Sequence, residues 1–193
     1  MTLFLFVLYN IDMIKNRLFY FVAFLLFSAC TNINFLTSEE LEYRAYLLKA
    51  GDILIKEKKN SLLGVFGHSS IVLEDNMVGD YPKFGEKFYK ISLRDWLEEE
   101  RGILVLRYAK INEEFRKRLL ANIEKFSMQS YGISWNKKNT SKFYCSSFIW
   151  YVYYITAKEM GINLDLDSNK GLFVTPYDFI DNIFLINIFK EEE

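Results

Sequence analysis

The sequence predicts an α+β fold, in which short strands and helices segregate along the chain. Its 193 residues are 51% hydrophobic, which is enough for one domain with a sizeable core. It has two prolines, nine glycines and no low-complexity run, so we expect an ordered chain. The strand-like segments do not alternate regularly with helices, as a parallel βαβ sheet requires. A net charge of −1 provides no electrostatic basis for binding nucleic acid.

The elements of the first half follow from local signals. Thr37 and Glu40 have the spacing of a capping box, which satisfies backbone N–H groups at a helix start, and Gly51 is typical of a helix end. The next segment, DILIKE, alternates apolar and polar residues as a strand does. These signals predict a helix over 37–49, strands over 52–57 and 65–74, and a turn-rich stretch over 75–85 with room for a short strand near Asp80.

The elements of the second half are marked in the same way. Ser92 and Asn112 are residue types that cap helices, and apolar residues after Asn112 recur at helical spacing. Gly161 is typical of a helix C-terminus, and Pro176 of a first helical turn. These signals predict helices over 92–101, 112–126, 145–160 and 175–182, strands over 103–109 and 184–189, and a polar loop over 131–142.

The N-terminal segment has the pattern of a secretory signal peptide. Lys15 and Arg17 precede a short apolar run over 18–29, whose last two residues are small and are followed by Cys30. The run is shorter than the roughly 20 residues of a spanning helix, so a signal peptide is favoured over the alternative, an uncleaved membrane anchor. The first twelve residues carry no lysine or arginine, and we expect translation to begin at Met13.

The end of this segment resembles a bacterial lipobox, although Phe27 stands where leucine is usual. In a lipobox protein, Cys30 is lipidated and becomes the mature N-terminus. This interpretation predicts a signal segment over 1–30, a tether over 31–36 and a folded domain over 37–193. The protein is then exported and held at a membrane of the bacterial cell envelope by its lipid.

The chain has two cysteines and one histidine. If Cys30 is lipidated, Cys145 is a lone thiol in an exported protein; the alternative is a Cys30–Cys145 disulfide. A thiol can pair with His68 to form a thiolate–imidazolium nucleophile. One histidine and one thiol are too few nitrogen and sulfur ligands for zinc, so we expect no metal and no cofactor.

The position of Cys145 at the start of a predicted helix is consistent with two roles. A helix N-terminus stabilises negative charge and lowers the pKa of a thiol. The apolar residues that follow, among them Phe148 and Val152, predict that the helix is buried. A packed core position for Cys145 therefore stays open on the local sequence alone.

Four stretches, in order, carry a resemblance to a known family. They are GDIL at 51–54, GHSSIV at 67–72, YCSSFIW at 144–150 and VTPYD at 174–178. They resemble the permuted papain-like branch of the NlpC/P60 superfamily, which comprises YiiX-like and YycO-like cysteine hydrolases. The resemblance implies a papain-like antiparallel sheet, or partial barrel, packed against helices. Histidine before cysteine is the order that the circular permutation implies.

The resemblance also assigns roles to residues. Cys145 corresponds to the nucleophile and His68 to the general base. The residue that orients the histidine usually lies on the following strand, often as glutamate. Asp80 is the candidate here, with Glu74 in reserve.

Tyr144 and Ser146 flank the thiol and are candidates for binding substrate or an oxyanion, together with the backbone N–H of Cys145. A core position is the alternative for Tyr144. Ser147 departs from the family pattern, because glutamate or glutamine is frequent at that position.

The implied function is a membrane-anchored cysteine hydrolase that cleaves an amide bond, peptide or N-acyl, or an ester bond. Its expected substrate is a cell-wall peptide or an acyl-amide or lipid-like compound. A surface-lipoprotein binding module on the same fold is the alternative, because fold alone does not prove activity.

Overall fold

The computed structural model describes residues 33–59, 65–81 and 86–190. Its principal element is a six-stranded sheet in which all paired neighbours are antiparallel. The strands are β1 (Ile53–Lys56), β2 (His68–Val72), β3 (Met77–Asp80), β4 (Tyr89–Ser92), β5 (Ile103–Tyr108) and, after a short parallel pair of β6 (Ser130–Tyr131) and β7 (Lys142–Phe143), β8 (Leu185–Asn187). The order across the sheet is β4-β3-β2-β1-β5-β8.

Helices cover this sheet, which confirms the predicted α+β class. They are α1 (Ser38–Tyr43), α2 (Leu93–Leu97), α3 (Glu113–Phe126) and α4 (Cys145–Glu159), with 3₁₀ turns at Ala45–Leu47, Glu74–Asn76 and Pro176–Phe179. The predicted capping box begins α1: the Glu40 N–H donates to the Thr37 hydroxyl at 3.2 Å, and the Thr37 N–H donates to the Glu40 carboxylate at 2.7 Å. None of the helices in the described part of the chain has the length and apolar character needed to cross a bilayer.

Helix α4 is fixed by burial along its length. Its side chains Phe148, Ile149, Val152 and Tyr153 are each at most 1% exposed. Burying a side chain of this size contributes about 1.5–3 kcal/mol. The Tyr153 hydroxyl donates a hydrogen bond to the carbonyl of Gly51. This packing holds the N-terminus of α4, and with it Cys145, in a defined place.

The face of the sheet that carries Leu54 and Val72 packs against α2. Leu54 lies directly opposite Ser70 in the β1–β2 register, so these two residues point to the same face. Trp96 and Leu97 of α2 are buried in the same apolar cluster as Leu54 and Val72. The sheet therefore has helices on either side, α2 on this face and α4 packed against β2.

The structure differs from the predicted elements at several places. The helix predicted over 175–182 is a 3₁₀ turn at Pro176–Phe179, and the helix predicted over 92–101 ends at Leu97. The helix predicted over 37–49 is interrupted after Tyr43, and its second part is a 3₁₀ turn. Strand β4 was not predicted, because its residues 89 and 90 are exposed and give no apolar alternation. The predicted polar loop over 131–142 is closed at its ends by the parallel pair of β6 and β7.

The residues expected to form the tether are described only from residue 33 onward. Leu36 exchanges two backbone hydrogen bonds with Ile103, each 2.8 Å long, at the start of β5. The end of the expected tether is thus joined to the sheet. The predicted signal segment, Cys30 and the expected start at Met13 lie outside the described residues.

Candidate active site

Cys145 is the first residue of α4 and carries a free, half-buried thiol. The residue before it, Tyr144, has an extended backbone with φ −120° and ψ 171° and forms the N-cap. The Tyr144 N–H donates to the Ser147 hydroxyl at 2.8 Å, and this hydroxyl donates back to the Tyr144 carbonyl at 3.0 Å. Ser147, the departure from the family pattern, therefore stabilises the turn that presents the thiol.

His68 is the first residue of β2 and follows a glycine that the turn requires. Gly67 has a φ of +74°, and a Cβ there would lie 2.9 Å from the Lys56 carbonyl and 3.0 Å from the ring of Tyr177. The His68 side chain is 17% exposed. The turn therefore places the imidazole at the start of β2, an inner strand of the sheet, with part of its side chain accessible.

Asp80 is the acidic residue that contacts the histidine. Its Oδ1 lies 2.7 Å from Nε2 of His68, and Asp80 is 4% exposed. The reserve candidate, Glu74, is exposed in the turn beyond the other end of β2. Strands β2 and β3 are antiparallel neighbours, so the last residue of β3 comes back to the first residue of β2.

The His68 ring also interacts with the thiol of Cys145: each group shifts the pKa of the other, and the Ser69 backbone acts on the pKa of the thiol as well. Because Asp80 occupies Nε2, Nδ1 is the ring nitrogen that faces the thiol. The fold thus brings Cys145, His68 and Asp80 together. In the sequence, Asp80 is 12 positions and Cys145 is 77 positions from His68.

The electrostatics of the pair favour its charged form. Burial alone raises the pKa of the Cys145 thiol, but the charge of His68, a hydrogen bond from its ring and the Ser69 backbone lower that pKa below its usual value. Burial lowers the pKa of His68, but the charges of Asp80 and Cys145, with hydrogen bonds to both, raise it to about 10. Both shifts favour the thiolate–imidazolium form over the neutral thiol and imidazole.

Tyr144 and Ser146 are both engaged with the backbone of Val174. The Val174 N–H donates to the Tyr144 hydroxyl at 3.1 Å, and the Ser146 hydroxyl donates to the Val174 carbonyl at 2.7 Å. Burial raises the pKa of Tyr144 to about 12. In this structure both side chains fasten the 174–178 segment to the start of α4, and contact with a substrate stays a prediction for both.

The 174–178 segment supports the histidine in turn. The Asp178 carboxylate accepts hydrogen bonds from the Thr175 N–H at 2.6 Å and from the Thr175 hydroxyl at 2.9 Å, which forms a capping box. The Tyr177 ring lies against Gly67, and its hydroxyl accepts from the Lys58 N–H at 3.2 Å. This segment therefore braces the turn that carries His68.

Tyr131 is a residue near the site that the sequence predicts only as the start of a polar loop. Burial raises its pKa to about 12, and the negative charges of Cys145 and Asp80 act in the same direction. Its phenol is therefore a neutral hydroxyl close to the candidate nucleophile. Its place depends on the pairing of β6 with β7, for which the sequence carries no local signal.

Within residues 33–59, 65–81 and 86–190, no group of three or more His, Cys, Asp or Glu side chains is arranged to hold a metal ion. The order of the groups at the site, a thiol beside an imidazole beside a carboxylate, is one that can activate a thiol for nucleophilic attack.

Comparison with known proteins identifies the family. A family model described as "Permuted papain-like amidase enzyme, YaeF/YiiX, C92 family" matches residues 47–165. A solved structure described as metalloprotein yiiX from Escherichia coli O157:H7 matches with a TM-score of 0.54 and 17% sequence identity, over 74% of this chain and 97% of that chain. No curated protein matches. The structural likeness supports the papain-like fold, and since the family model spans more than half of the sequence, the chain belongs to the permuted papain-like amidases, a cysteine-type amidase family.

Proposed function

We propose that this protein is a cysteine hydrolase that cleaves an amide or ester bond, with Cys145 as nucleophile, His68 as proton carrier and Asp80 as the residue that orients His68. The observation that carries the proposal is the chain of contacts from Asp80 through the imidazole to the thiol. Membership of a papain-like amidase family supports the reaction class.

The proposed reaction has two stages. The Cys145 thiolate attacks the carbonyl carbon of the substrate, the bond to the leaving amine or alcohol breaks, and the proton on Nδ1 of His68 passes to the leaving group. A water molecule then attacks the resulting thioester, His68 accepts the proton of that water, and the Cys145 thiolate leaves. Asp80 holds the ring through Nε2 in both stages.

The negative oxygen that forms on the substrate needs donors. The backbone N–H of Cys145 at the start of α4 is one, since helix N-termini stabilise negative charge.

Exposed apolar side chains near the site favour an acyl compound over a polar one. Phe66, two residues before His68, is 64% exposed, and Leu172, two residues before Val174, is 65% exposed. Trp135 is also exposed, and its ring lies 5.0 Å from that of Phe173. A cell-wall peptide is the alternative substrate class.

Membrane attachment through a lipid on Cys30 is part of the proposal. Across the sheet, Leu36 pairs with Ile103, Ile103 with Lys56, and Lys56 with His68. These three strand spacings separate Leu36 from His68 by about 14 Å. Fatty-acid labelling that depends on Cys30 tests this attachment.

The reactivity of Cys145 tests the catalytic proposal. The full chain is alkylated with iodoacetamide at a series of pH values, and the tryptic peptide Phe143–Lys158, which contains no other cysteine, reports on Cys145 alone. We expect a thiol pKa below the free value of about 8.5, and an upward shift in His68→Ala. A slow thiol that is indifferent to His68 contradicts the proposal and favours a binding module.

A further inference from the structure

A buried lysine lies directly opposite the histidine of the site. Lys56 is the last residue of β1, and its Cα pairs with that of His68 in the antiparallel register with β2. Side chains of directly paired residues point to the same face, with Cβ atoms about 4.5–5.5 Å apart. Lys56 is only 3% exposed, so its ammonium lies inside the protein on the side of the sheet that α2 covers.

The contacts of Lys56 hold its ammonium in one place. Nζ donates to the Trp96 carbonyl at 2.8 Å and to the Glu99 carboxylate at 3.1 Å, and it lies 4.0 Å from the centre of the Trp96 ring. The Trp96 indole N–H donates to the Ser70 hydroxyl at 3.0 Å. Continuing the β2–β3 register by one residue places Ser70 opposite Asp80, so Trp96 links the ammonium to the strands that carry the site.

Structural anchoring alone is a poor reason to bury this charge. Burial lowers the pKa of Lys56, and the Glu99 carboxylate and the charge of Asp80 oppose that effect. Replacing a buried ion by a well-packed apolar side chain is often neutral or stabilising. Lys59, an exposed lysine, binds the same Glu99 at 2.8 Å and can hold that carboxylate without being buried.

We propose that Lys56 is a positioning residue whose buried positive charge offsets that of Asp80 and extends to lower pH the range in which Cys145 is a thiolate. The inference rests on the proposed roles of Cys145 and His68. Lys56 acts through the charges of the site, and its role is separate from holding α2 on the sheet.

The surroundings of Lys56 define the sign of the effect. The charged and titratable groups around Lys56 come from the elements packed near it: His68 on β2, Asp80 on β3, and Glu99 and Arg101 after α2. Tyr89 on β4 lies near Asp80 and Glu99. Burial raises the pKa of Glu99, but hydrogen bonds from Lys59 and Lys56 lower it to about 2, so Glu99 stays charged throughout the measurement. Removing the positive charge of Lys56 therefore leaves the Cys145 thiolate less stabilised.

The test is the pH dependence of alkylation of Cys145 in the full chain. The acid limb of this profile is the pH range in which alkylation slows because Cys145 becomes protonated. In Lys56→Met, which keeps the length of the side chain and removes its charge, we expect the acid limb to move up by about 0.5–1 pH unit. In Glu99→Gln, which removes a neighbouring negative charge, we expect the acid limb to move down. If Lys56 had a purely structural role, Lys56→Met and Glu99→Gln would lower the fraction of folded protein but would not move the acid limb in opposite directions.

Two controls separate charge from packing. Lys59→Met removes a lysine that binds the same carboxylate but is exposed, and we expect no shift of the acid limb. Lys56→Arg restores the charge and is expected to restore the wild-type limb. If Lys56→Met does not fold, Glu99→Gln still decides the question, since an unmoved limb in that variant overturns the inference.

The outcomes also distinguish this inference from the proposed function. A shift in His68→Ala without a shift in Lys56→Met and Glu99→Gln overturns the role of Lys56 and leaves the nucleophile pair intact. No shift in His68→Ala overturns both.

Discussion

The residue that decides the state of the imidazole is Asp80. Its carboxylate is buried at the end of β3 and contacts Nε2 of His68 at 2.7 Å, so Nδ1 faces the thiol. A negative charge at this distance stabilises the imidazolium more than the neutral ring. The raised pKa of His68 is therefore mainly a property of this contact and of the thiolate, working against burial.

Replacing Asp80 is expected to return the imidazole to a lower pKa. Since His68 is the only histidine of the chain, NMR titration of the full protein gives one imidazole signal to follow. In Asp80→Asn we expect the pKa of His68 to fall from about 10 by two units or more. We expect hydrolysis to slow by at least about 100-fold, because the base loses its orienting partner.

Glu74→Gln is the matched control for this prediction. It removes an acidic side chain that the sequence also offered as partner of His68, but the structure places it in an exposed turn away from the ring. We expect no change in the His68 titration. An unchanged pKa in Asp80→Asn, or a fall in Glu74→Gln, contradicts the assignment.

The element that aims the imidazole is the turn before β2. Gly67 has left-handed backbone geometry, and any larger residue meets the Lys56 carbonyl and the Tyr177 ring. The segment bearing Tyr177 is in turn fastened to the start of α4 through Val174. Turn, closing segment and helix start therefore form one support for the nucleophile and the base.

Gly67→Ala is expected to disturb both stability and the site. A left-handed conformation costs a residue with a Cβ about 1–2 kcal/mol, and the two close contacts add to that cost. Gly161→Ala is the matched control, because Gly161 has a φ of +67° and a Cβ there meets nothing within 4 Å. We expect urea unfolding to show a larger loss for Gly67→Ala, and alkylation to show a raised Cys145 pKa in that variant alone. Equal losses with unchanged alkylation contradict this account.

How far the sequence predicts these elements depends on whether their signals are local. The helix start at Cys145 and the glycine before His68 could be predicted, because capping residues and turn glycines act within a few positions. Lys56 and Tyr131 could not be assigned to the site. Their places follow from strand pairing across 12 residues in each case, a feature that composition and periodicity do not encode.

At the scale of the whole molecule, the sheet gathers the site at one end. Helix α4 brings Cys145 from one side, while α2 holds Lys56 from the other through Trp96. Strand β2 contributes His68, and its neighbour β3 contributes Asp80. The charges of the site are thus coupled to folding, since their arrangement exists only when these separate elements are assembled.

This coupling predicts a plateau in the stability that the nucleophile pair contributes. The raised pKa of His68 contributes stability that is fully present below its unfolded value of 6.5 and is lost as the pH rises through about 10. The lowered pKa of Cys145 contributes stability that is fully present above its unfolded value of 9.0 and is lost as the pH falls. At pH values between 6.5 and 9.0 at which the folded protein holds Cys145 as a thiolate, the two changes cancel, because the folded and unfolded states bind equal numbers of protons.

The measurement is the free energy of unfolding in urea at pH values on both sides of this window. The difference between wild type and the double variant His68→Ala/Cys145→Ala isolates the pair from the other titrating groups of the chain. We expect this difference to be level over the part of the range between pH 6.5 and 9.0 in which folded Cys145 is a thiolate, and to decrease as the pH rises above 9.0. Cys145→Ala alone is the control: it leaves His68 beside Asp80, so its advantage over the double variant should decrease only as the pH rises. A difference that decreases steadily from pH 6.5 to 9.0 with no level part means that only His68 changes its charge on folding, and it contradicts a thiolate–imidazolium pair.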